Sequence, residues 1–138
     1  MQASYAYGKL PAQNTERVRR FYEEKLGLRP FGERNHHLYY EVGNVRFVIF
    51  PSTSTSSGTH DQLGFVVDDL EGTIDELRSK GINFEDYPGL TENSVATFGI
   101  MKAAWFKDSE GNLLSLAERP TMLMVPQDEE QEGVRQEQ

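Results

Sequence analysis

Residues 12–28, AQNTERVRRFYEEKLGL, and residues 67–82, VDDLEGTIDELRSKGI, are similar enough to indicate an internal duplication. When the two segments are aligned, Asn14 in the first matches Asp69 in the second. Each is a favoured N-cap residue, and a glutamate soon afterwards places an acid in the first helical turn. The two segments therefore predict two helices in equivalent positions of two similar half-chains.

Both segments carry apolar residues at helical spacing, so each predicted helix has one face suited to a core. Gly27 and Gly81 follow the helices and suit the left-handed conformation that ends a helix. The apolar stripes consist of Val18, Phe21, Tyr22 and Leu26 in the first segment and of Leu70, Ile74 and Leu77 in the second.

Strand-like segments surround the two helices in the same order in both halves. One candidate strand precedes each helix, a weaker candidate follows it, and a hairpin closes the half. Each half is therefore expected to run strand–helix–strand–strand–strand. The candidates are residues 4–12, 29–35 and 38–50 in the first half and residues 62–67, 83–87 and 103–117 in the second.

The chain is predicted to form one domain over residues 1–120, because neither half, at about 55 residues, could bury much apolar surface alone. Module one covers residues 3–51 and module two residues 61–118, joined by a polar, serine-rich linker at residues 52–60. The acidic tail at residues 121–138 is rich in Gln and Glu, and we expect it to be disordered.

The charge balance restricts the classes of partner. With 14 basic and 22 acidic residues, the net charge of −8 disfavours nucleic acid and an anionic membrane surface. The chain has no cysteine, which excludes disulfides and cysteine-based sites. Residues 1–7 do not resemble a signal peptide, and no apolar run is long enough to span a bilayer. A cytoplasmic protein is expected.

Four short motifs, in this order within the duplication, resemble the glyoxalase/bleomycin-resistance/extradiol-dioxygenase superfamily, whose fold is called vicinal oxygen chelate. The resemblance covers roughly residues 3–118, and Ser109 replaces the proline usual in the last motif. The motifs are Phe21-Tyr22, Leu26-Gly27-Leu28, Phe65 to Leu70 with Leu77 to Ile82, and Trp105 to Leu114.

The resemblance implies an α+β fold in which two βαβββ modules form a cupped mixed sheet around a central cavity. Many members hold a divalent metal there through His and Glu residues on the first and last strands of each module, and the metal accepts neighbouring substrate oxygens. Other members hold no metal and sequester a drug. Members commonly complete the cavity between two chains, so a homodimer is expected by analogy.

The positions implied for metal ligands carry unsuitable side chains. Counting from the helix caps pairs Tyr7 with Gln62, and counting from the Gly-Asn turns pairs Phe47 with Ser115. None offers a carboxylate or an imidazole, the groups that hold divalent ions most readily. No cofactor is therefore expected, and the four residues are predicted to line a site for a small organic molecule.

Three further residues are candidates for that site. Lys9 is expected to point inward, where it would meet a ligand carboxylate or phosphate, or else to pair with Glu41 or lie at the cavity rim. Trp105 and Tyr40 would either stack on a flat ligand or belong to the core.

An alternative metal site would use His60 with Gln62 and Glu118. The alternative to a metal-binding role is that His60 is exposed to solvent beside the linker. His36 and His37 are adjacent, so in a strand they point to opposite sides and cannot easily bind one ion.

The sequence leaves three functions open. The first is a metal-free protein that binds and sequesters a small organic molecule. The second is a divergent metal-dependent lyase, isomerase or ring-cleaving dioxygenase. The third is a regulatory or interaction subunit without a ligand. Metal content separates the first two, and stabilisation by a small molecule separates the first from the third.

Overall fold

A computed structural model describes residues 1–119, so the predicted tail at residues 121–138 lies outside the described residues. Within these described residues, two helices and nine strands form the fold. Within residues 1–119, neither helix is long and apolar enough to cross a membrane. The elements are β1 (Gly8–Ala12), α1 (Thr15–Glu24), β2 (Gly32–Arg34), β3 (His37–Val42), β4 (Val45–Pro51), β5 (Leu63–Val67), α2 (Leu70–Ser79), β6 (Thr91–Glu92), β7 (Val95–Phe98), β8 (Met101–Lys107) and β9 (Leu113–Glu118).

The strands form two mixed sheets, one for each half of the chain. The first sheet has the order β1-β4-β3-β2 and the second has the order β5-β9-β8-β7-β6. In each sheet the strand before the helix pairs in parallel with the last strand of the module, and the other pairs are antiparallel. The predicted α+β fold of two related modules is confirmed. The predicted domain boundaries stay predictions.

Both helices begin and end as predicted. The side chain of Asn14 accepts a hydrogen bond of 2.8 Å from the backbone N–H of Arg17, and that of Asp69 accepts one of 3.1 Å from Gly72. Gly27 and Gly81 have φ values of 72° and 91°, in the left-handed region. The sequence duplication is therefore a structural duplication as well.

The second module differs from the prediction in one hairpin. The predicted strand at residues 83–87 is reduced to a single bridge between Phe84 and Phe106, and β6 with β7 form a hairpin that was not predicted. Its turn residues, Asn93 and Ser94, both have positive φ, as a two-residue type I′ turn requires. The turn carries no glycine, so its sequence does not predict a tight turn.

Each sheet has a buried face beneath its helix and a face on the opposite side, which we call the open face. The buried faces of both modules contribute to one apolar core. By strand alternation and register, the open face of the first sheet carries Lys9, Tyr39, Glu41, Arg46 and Val48. That of the second sheet carries Gly64, Val66, Trp105, Ser115 and Ala117.

The turn between β8 and β9 joins the two modules through Asp108. Its carboxylate is buried, and it accepts hydrogen bonds of 2.8 Å from the Tyr22 hydroxyl and 2.9 Å from the Asn112 amide. Asn112 also donates to the carbonyl oxygen of Pro11 at 3.0 Å. Burial raises the pKa of Asp108, and burial followed by the charge of Asp108 raises the pKa of Tyr22 well above its usual value.

Glu110 caps the first helix from the same turn. It accepts hydrogen bonds from the backbone N–H groups of Gln13 at 2.9 Å and Asn14 at 3.1 Å, and it forms an ion pair of 2.8 Å with Arg17. Burial alone would raise the pKa of Glu110, but hydrogen bonds from Arg17, Ser109 and Asn14 together lower it. The turn between β8 and β9 therefore has a structural role, because it connects the two modules. The carboxylates of Asp108 and Glu110 already accept hydrogen bonds within the protein.

Candidate functional site

A cavity of about 280 Å³ lies on the open face of the first sheet. Its floor is formed by side chains of β3 and β4, and its walls come from the N-terminal segment and from the loop before β2. The volume is close to the lower end of the range for small-molecule sites. The lining residues are Tyr5, Tyr7, Phe31, Tyr39, Tyr40, Arg46, Phe47 and Val48.

Aromatic rings dominate the walls of this cavity. The ring of Phe31 lies 6.3 Å from that of Tyr39, and the guanidinium of Arg46 lies 5.1 Å from the centre of the Phe31 ring. The rings of Tyr5 and Tyr7 lie 6.3 Å apart. The distances suit aromatic pairs and a cation–π contact, so these side chains form two groups, Phe31 with Tyr39 and Arg46 in one and Tyr5 with Tyr7 in the other.

Three of these aromatic side chains are largely exposed. The exposed fraction is 74% for Tyr5, 59% for Phe31 and 52% for Tyr7. A single exposed aromatic needs no explanation, but several around one concavity are typical of a binding surface. The cavity is therefore the candidate functional site.

Of the residues predicted to bind a ligand, Tyr7, Tyr40 and Phe47 line this cavity. Tyr40 is also a core residue, because it is 1% exposed and its ring stacks on Phe47 at 4.9 Å. Its hydroxyl has no hydrogen-bond partner among residues 1–119, and burial raises its pKa.

Lys9 lies on the open face of the first sheet. Its register partner on β4 is Val48, a cavity residue. Lys9 Nζ lies 4.8 Å from the centre of the Phe50 ring. The suggested pairing of Lys9 with Glu41 is not formed, since Glu41 pairs with Arg46 at 3.1 Å. The ammonium group of Lys9 therefore remains available.

The strand register corrects the predicted equivalence of Phe47 with Ser115. Gly8 pairs with Phe47, and its counterpart Leu63 pairs with Leu114. Phe47 is thus equivalent to a core residue, and Val48 is the equivalent of Ser115. The prediction was wrong by one residue because a tight turn precedes β4, whereas a longer loop precedes β9. The side chain of Phe47 therefore belongs to the core, where it is 2% exposed.

Ser115 and Trp105 belong to the second sheet and Gln62 immediately precedes its strand β5, and none of the three lines the cavity of the first sheet. Gln62 Oε1 accepts hydrogen bonds from the Ser56 hydroxyl and the Leu113 N–H, at 2.5 and 3.2 Å. Ser115 and Trp105 are register partners on the open face. Within residues 1–119, these three residues are therefore outside the cavity that contains Tyr7.

The donor set at the positions implied for metal ligands does not fit a divalent ion. With Val48 in place of Phe47, it consists of a phenol, an aliphatic side chain, an amide and a hydroxyl, and the amide oxygen of Gln62 is engaged. Within residues 1–119, no group of three or more His, Asp or Glu side chains could hold a metal.

His60 and Glu118 are not brought together either. Glu118 pairs with Val67 at the end of β5, whereas His60 precedes the start of that strand, so about 13 Å of strand separates them. The Glu118 carboxylate accepts a hydrogen bond of 3.0 Å from the Leu70 N–H and so caps α2. His60 is exposed and contacts Thr59. This geometry offers no joint site for an ion.

Five of the eight residues that line the cavity were not predicted, namely Tyr5, Phe31, Tyr39, Arg46 and Val48. Tyr5 and Phe31 come from irregular segments, where no periodicity predicts the direction of a side chain. Tyr39 and Arg46 could have been found, because alternation along β3 and β4 places them opposite the core residues Tyr40 and Phe47.

The family model for the Glyoxalase/Bleomycin resistance protein/Dioxygenase superfamily matches residues 5–116. The chain therefore belongs to this superfamily. Among curated proteins, none matches the chain significantly.

Solved structures share the fold at low sequence identity. The fosfomycin resistance protein FosX of Listeria monocytogenes is 10% identical, with a TM-score of 0.68 over 88% of this chain and 98% of that one. An antibiotic-binding protein from a Streptomyces species is 18% identical, with a TM-score of 0.65 over 87% and 100%. Lactoylglutathione lyase from Agrobacterium tumefaciens is 14% identical, with a TM-score of 0.63 over 86% and 96%. These likenesses concern the fold alone.

Proposed function

We propose that this protein binds and sequesters a small, flat organic molecule without a metal cofactor. The observation that carries the proposal is the cavity on the open face of the first sheet, walled by Tyr5, Tyr7, Phe31 and Tyr39. Aromatic rings bury large areas with few rotatable bonds, so they bind flat ligands at low entropic cost. The antibiotic-binding protein of similar fold is consistent with such a role.

We further propose that the working form is a homodimer. The open face of the second sheet carries Val66, which is 46% exposed, beside Gly64 and Ser115. A second copy could lay this face over the aromatic cavity of the first, which would bring Gln62, Ser115 and Trp105 into the same site as Tyr7. The dimer would also cover apolar side chains that a single chain leaves in water.

The oligomeric state is tested by light scattering coupled to gel filtration. The wild-type chain should elute at twice the mass of one chain, and Val66→Glu should elute as a monomer, because a charge is costly in an apolar interface. Leu90→Glu is the matched control, since Leu90 is equally exposed at 46% but lies in the loop before β6. A monomeric wild type contradicts the dimer.

Ligand binding is tested with N-phenyl-1-naphthylamine, a neutral aromatic probe whose fluorescence rises in apolar sites. The probe should bind the wild type and raise its melting temperature. Phe31→Ala should weaken binding about tenfold, as the loss of an aromatic anchor does, and Leu90→Ala should not. Absence of binding would favour a regulatory or interaction subunit.

The competing function, a metal-dependent lyase, isomerase or dioxygenase, is tested by elemental analysis of the purified protein. We expect less than stoichiometric zinc, iron, manganese and nickel, and no increase in melting temperature with any of them. One equivalent of metal per chain contradicts the proposed function. We also propose that the protein is cytoplasmic.

A further inference from the structure

The two open faces carry charge of the opposite sign to the rest of the protein. The whole chain has a net charge of −8. Within residues 1–119, the strands carry five cationic residues, and register with alternation places four of them on the open faces. These four are Lys9, Arg34, Arg46 and Lys107.

Carboxylates show the reverse distribution. Four strand residues within residues 1–119 carry carboxylates. Only Glu41 lies on an open face, and the other three lie on the faces beneath the helices, which we call the helix side. These three are Glu33, Glu92 and Glu118. Glu41 is already paired with Arg46 at 3.1 Å. The open faces therefore hold cations without an equal number of acids, and the helix sides hold the acids.

Lys9 is the cation best placed to act at the cavity. It lies two residues from Tyr7 on the same side of the chain, and its register partner Val48 is part of the cavity floor. No carboxylate of residues 1–119 lies within ion-pair distance of Lys9. The contact of Nζ with the Phe50 ring at 4.8 Å leaves the ammonium able to meet an anion.

We propose that the ligand is an aromatic anion, a flat ring system bearing a carboxylate, sulfonate or phenolate group, whose charge is recognised by Lys9. This inference rests on the proposed function, since it names the chemical class of molecule for the same cavity. The aromatic walls contact the ring, and Lys9 lies at the edge where the acidic group projects. A ligand cation is disfavoured, because Glu41 is already neutralised by Arg46.

The test compares two probes that share one ring system, one of them neutral and the other anionic. N-phenyl-1-naphthylamine is neutral, and 8-anilinonaphthalene-1-sulfonate is the same ring system with a sulfonate. The wild type should bind the sulfonate about three- to fivefold more tightly, as a partly exposed ion pair allows. Added salt should reduce this preference, because it screens exposed charges.

Lys9→Gln should abolish the preference for the sulfonate, so that the affinity for the sulfonate falls to that for the neutral probe. Lys80→Gln is the matched control and should keep the preference, because Lys80 is on the helix side, where it pairs with Glu76 at 3.4 Å. Equal affinity of the wild type for both probes, or a preference that survives Lys9→Gln, overturns the inference while the proposed function stands. If neither probe binds, the proposed function itself fails.

Discussion

The hydroxyl of Tyr22 donates a hydrogen bond of 2.8 Å to Oδ2 of Asp108, across 86 residues of sequence. Tyr22 lies on the helix of the first module, and Asp108 lies in the last turn of the second. Both groups are buried, so neither can replace the bond with one to water. This contact makes the packing of the two modules specific.

Tyr22→Phe should therefore lower the free energy of unfolding by about 1–3 kcal/mol, because Asp108 loses a partner in a buried place. The measurement is urea denaturation followed by circular dichroism. Tyr5→Phe serves as the control, since Tyr5 is 74% exposed and should show almost no change. Equal stability of the two variants would mean that the bond contributes nothing.

Glu110→Gln should lower the free energy of unfolding at neutral pH by about 1–2 kcal/mol, since the charged cap of α1 is lost. Glu24→Gln, at an exposed position of the same helix, is the control. The measurement is again urea denaturation, and an unchanged midpoint for Glu110→Gln would contradict the capping role.

The same variant should change the pH dependence of stability. The pKa of Glu110 is lower in the folded chain than its ordinary value of 4.5. Its contribution is therefore complete above that value and is lost as the pH falls through the folded pKa. The stability of the wild type should decrease in acid more steeply than that of Glu110→Gln. Asp108, whose pKa is raised, acts in the opposite direction and is common to both proteins.

The corrected register predicts different effects for two neighbouring residues. Phe47→Ala should cost about 3–5 kcal/mol of stability, because the ring packs on Tyr22, Tyr40 and Phe65 in the core. Val48→Ala should cost about 1–2 kcal/mol and should weaken binding of the neutral aromatic probe. The stabilities of the two variants are compared by thermal and urea unfolding. A larger loss of stability for Val48→Ala would restore the original assignment of the two faces.

The turn between β2 and β3 offers a stabilising substitution. Asn35 and His36 have φ values of 52° and 63°, so an exposed histidine occupies a left-handed position. His36→Gly should raise the free energy of unfolding by about 0.5–1 kcal/mol, because Asn-Gly is the preferred pair in type I′ turns. His37→Gly, one residue later in β3, should instead be destabilising. The stabilities of the wild type and of the two variants are compared through their melting temperatures.

Local patterns in the sequence were sufficient to predict the two helices, their caps and the equivalence of the two half-chains. The stripe of Val18 and Tyr22 and the caps at Asn14 and Asp69 depend on neighbouring residues only, so one sequence reveals them. The hairpin formed by β6 and β7 was missed because its turn residues, Asn93 and Ser94, adopt positive φ without a glycine.

The candidate site was harder to predict because its walls come from irregular segments. The directions of Tyr5 and Phe31 are decided by tertiary contacts, such as that between the Phe31 N–H and the Tyr39 carbonyl oxygen at 2.7 Å. The error at Phe47 had a different origin. A turn and a longer loop were counted as equal, and a shift of one residue moves a strand side chain to the other face.

The shared core has a practical consequence for handling the molecule. The segment between β4 and β5 contributes little to that core, whereas the turn carrying Asp108 and Glu110 reaches across to the first helix. A protease cut in the serine-rich segment would therefore leave two fragments that remain bound as one particle.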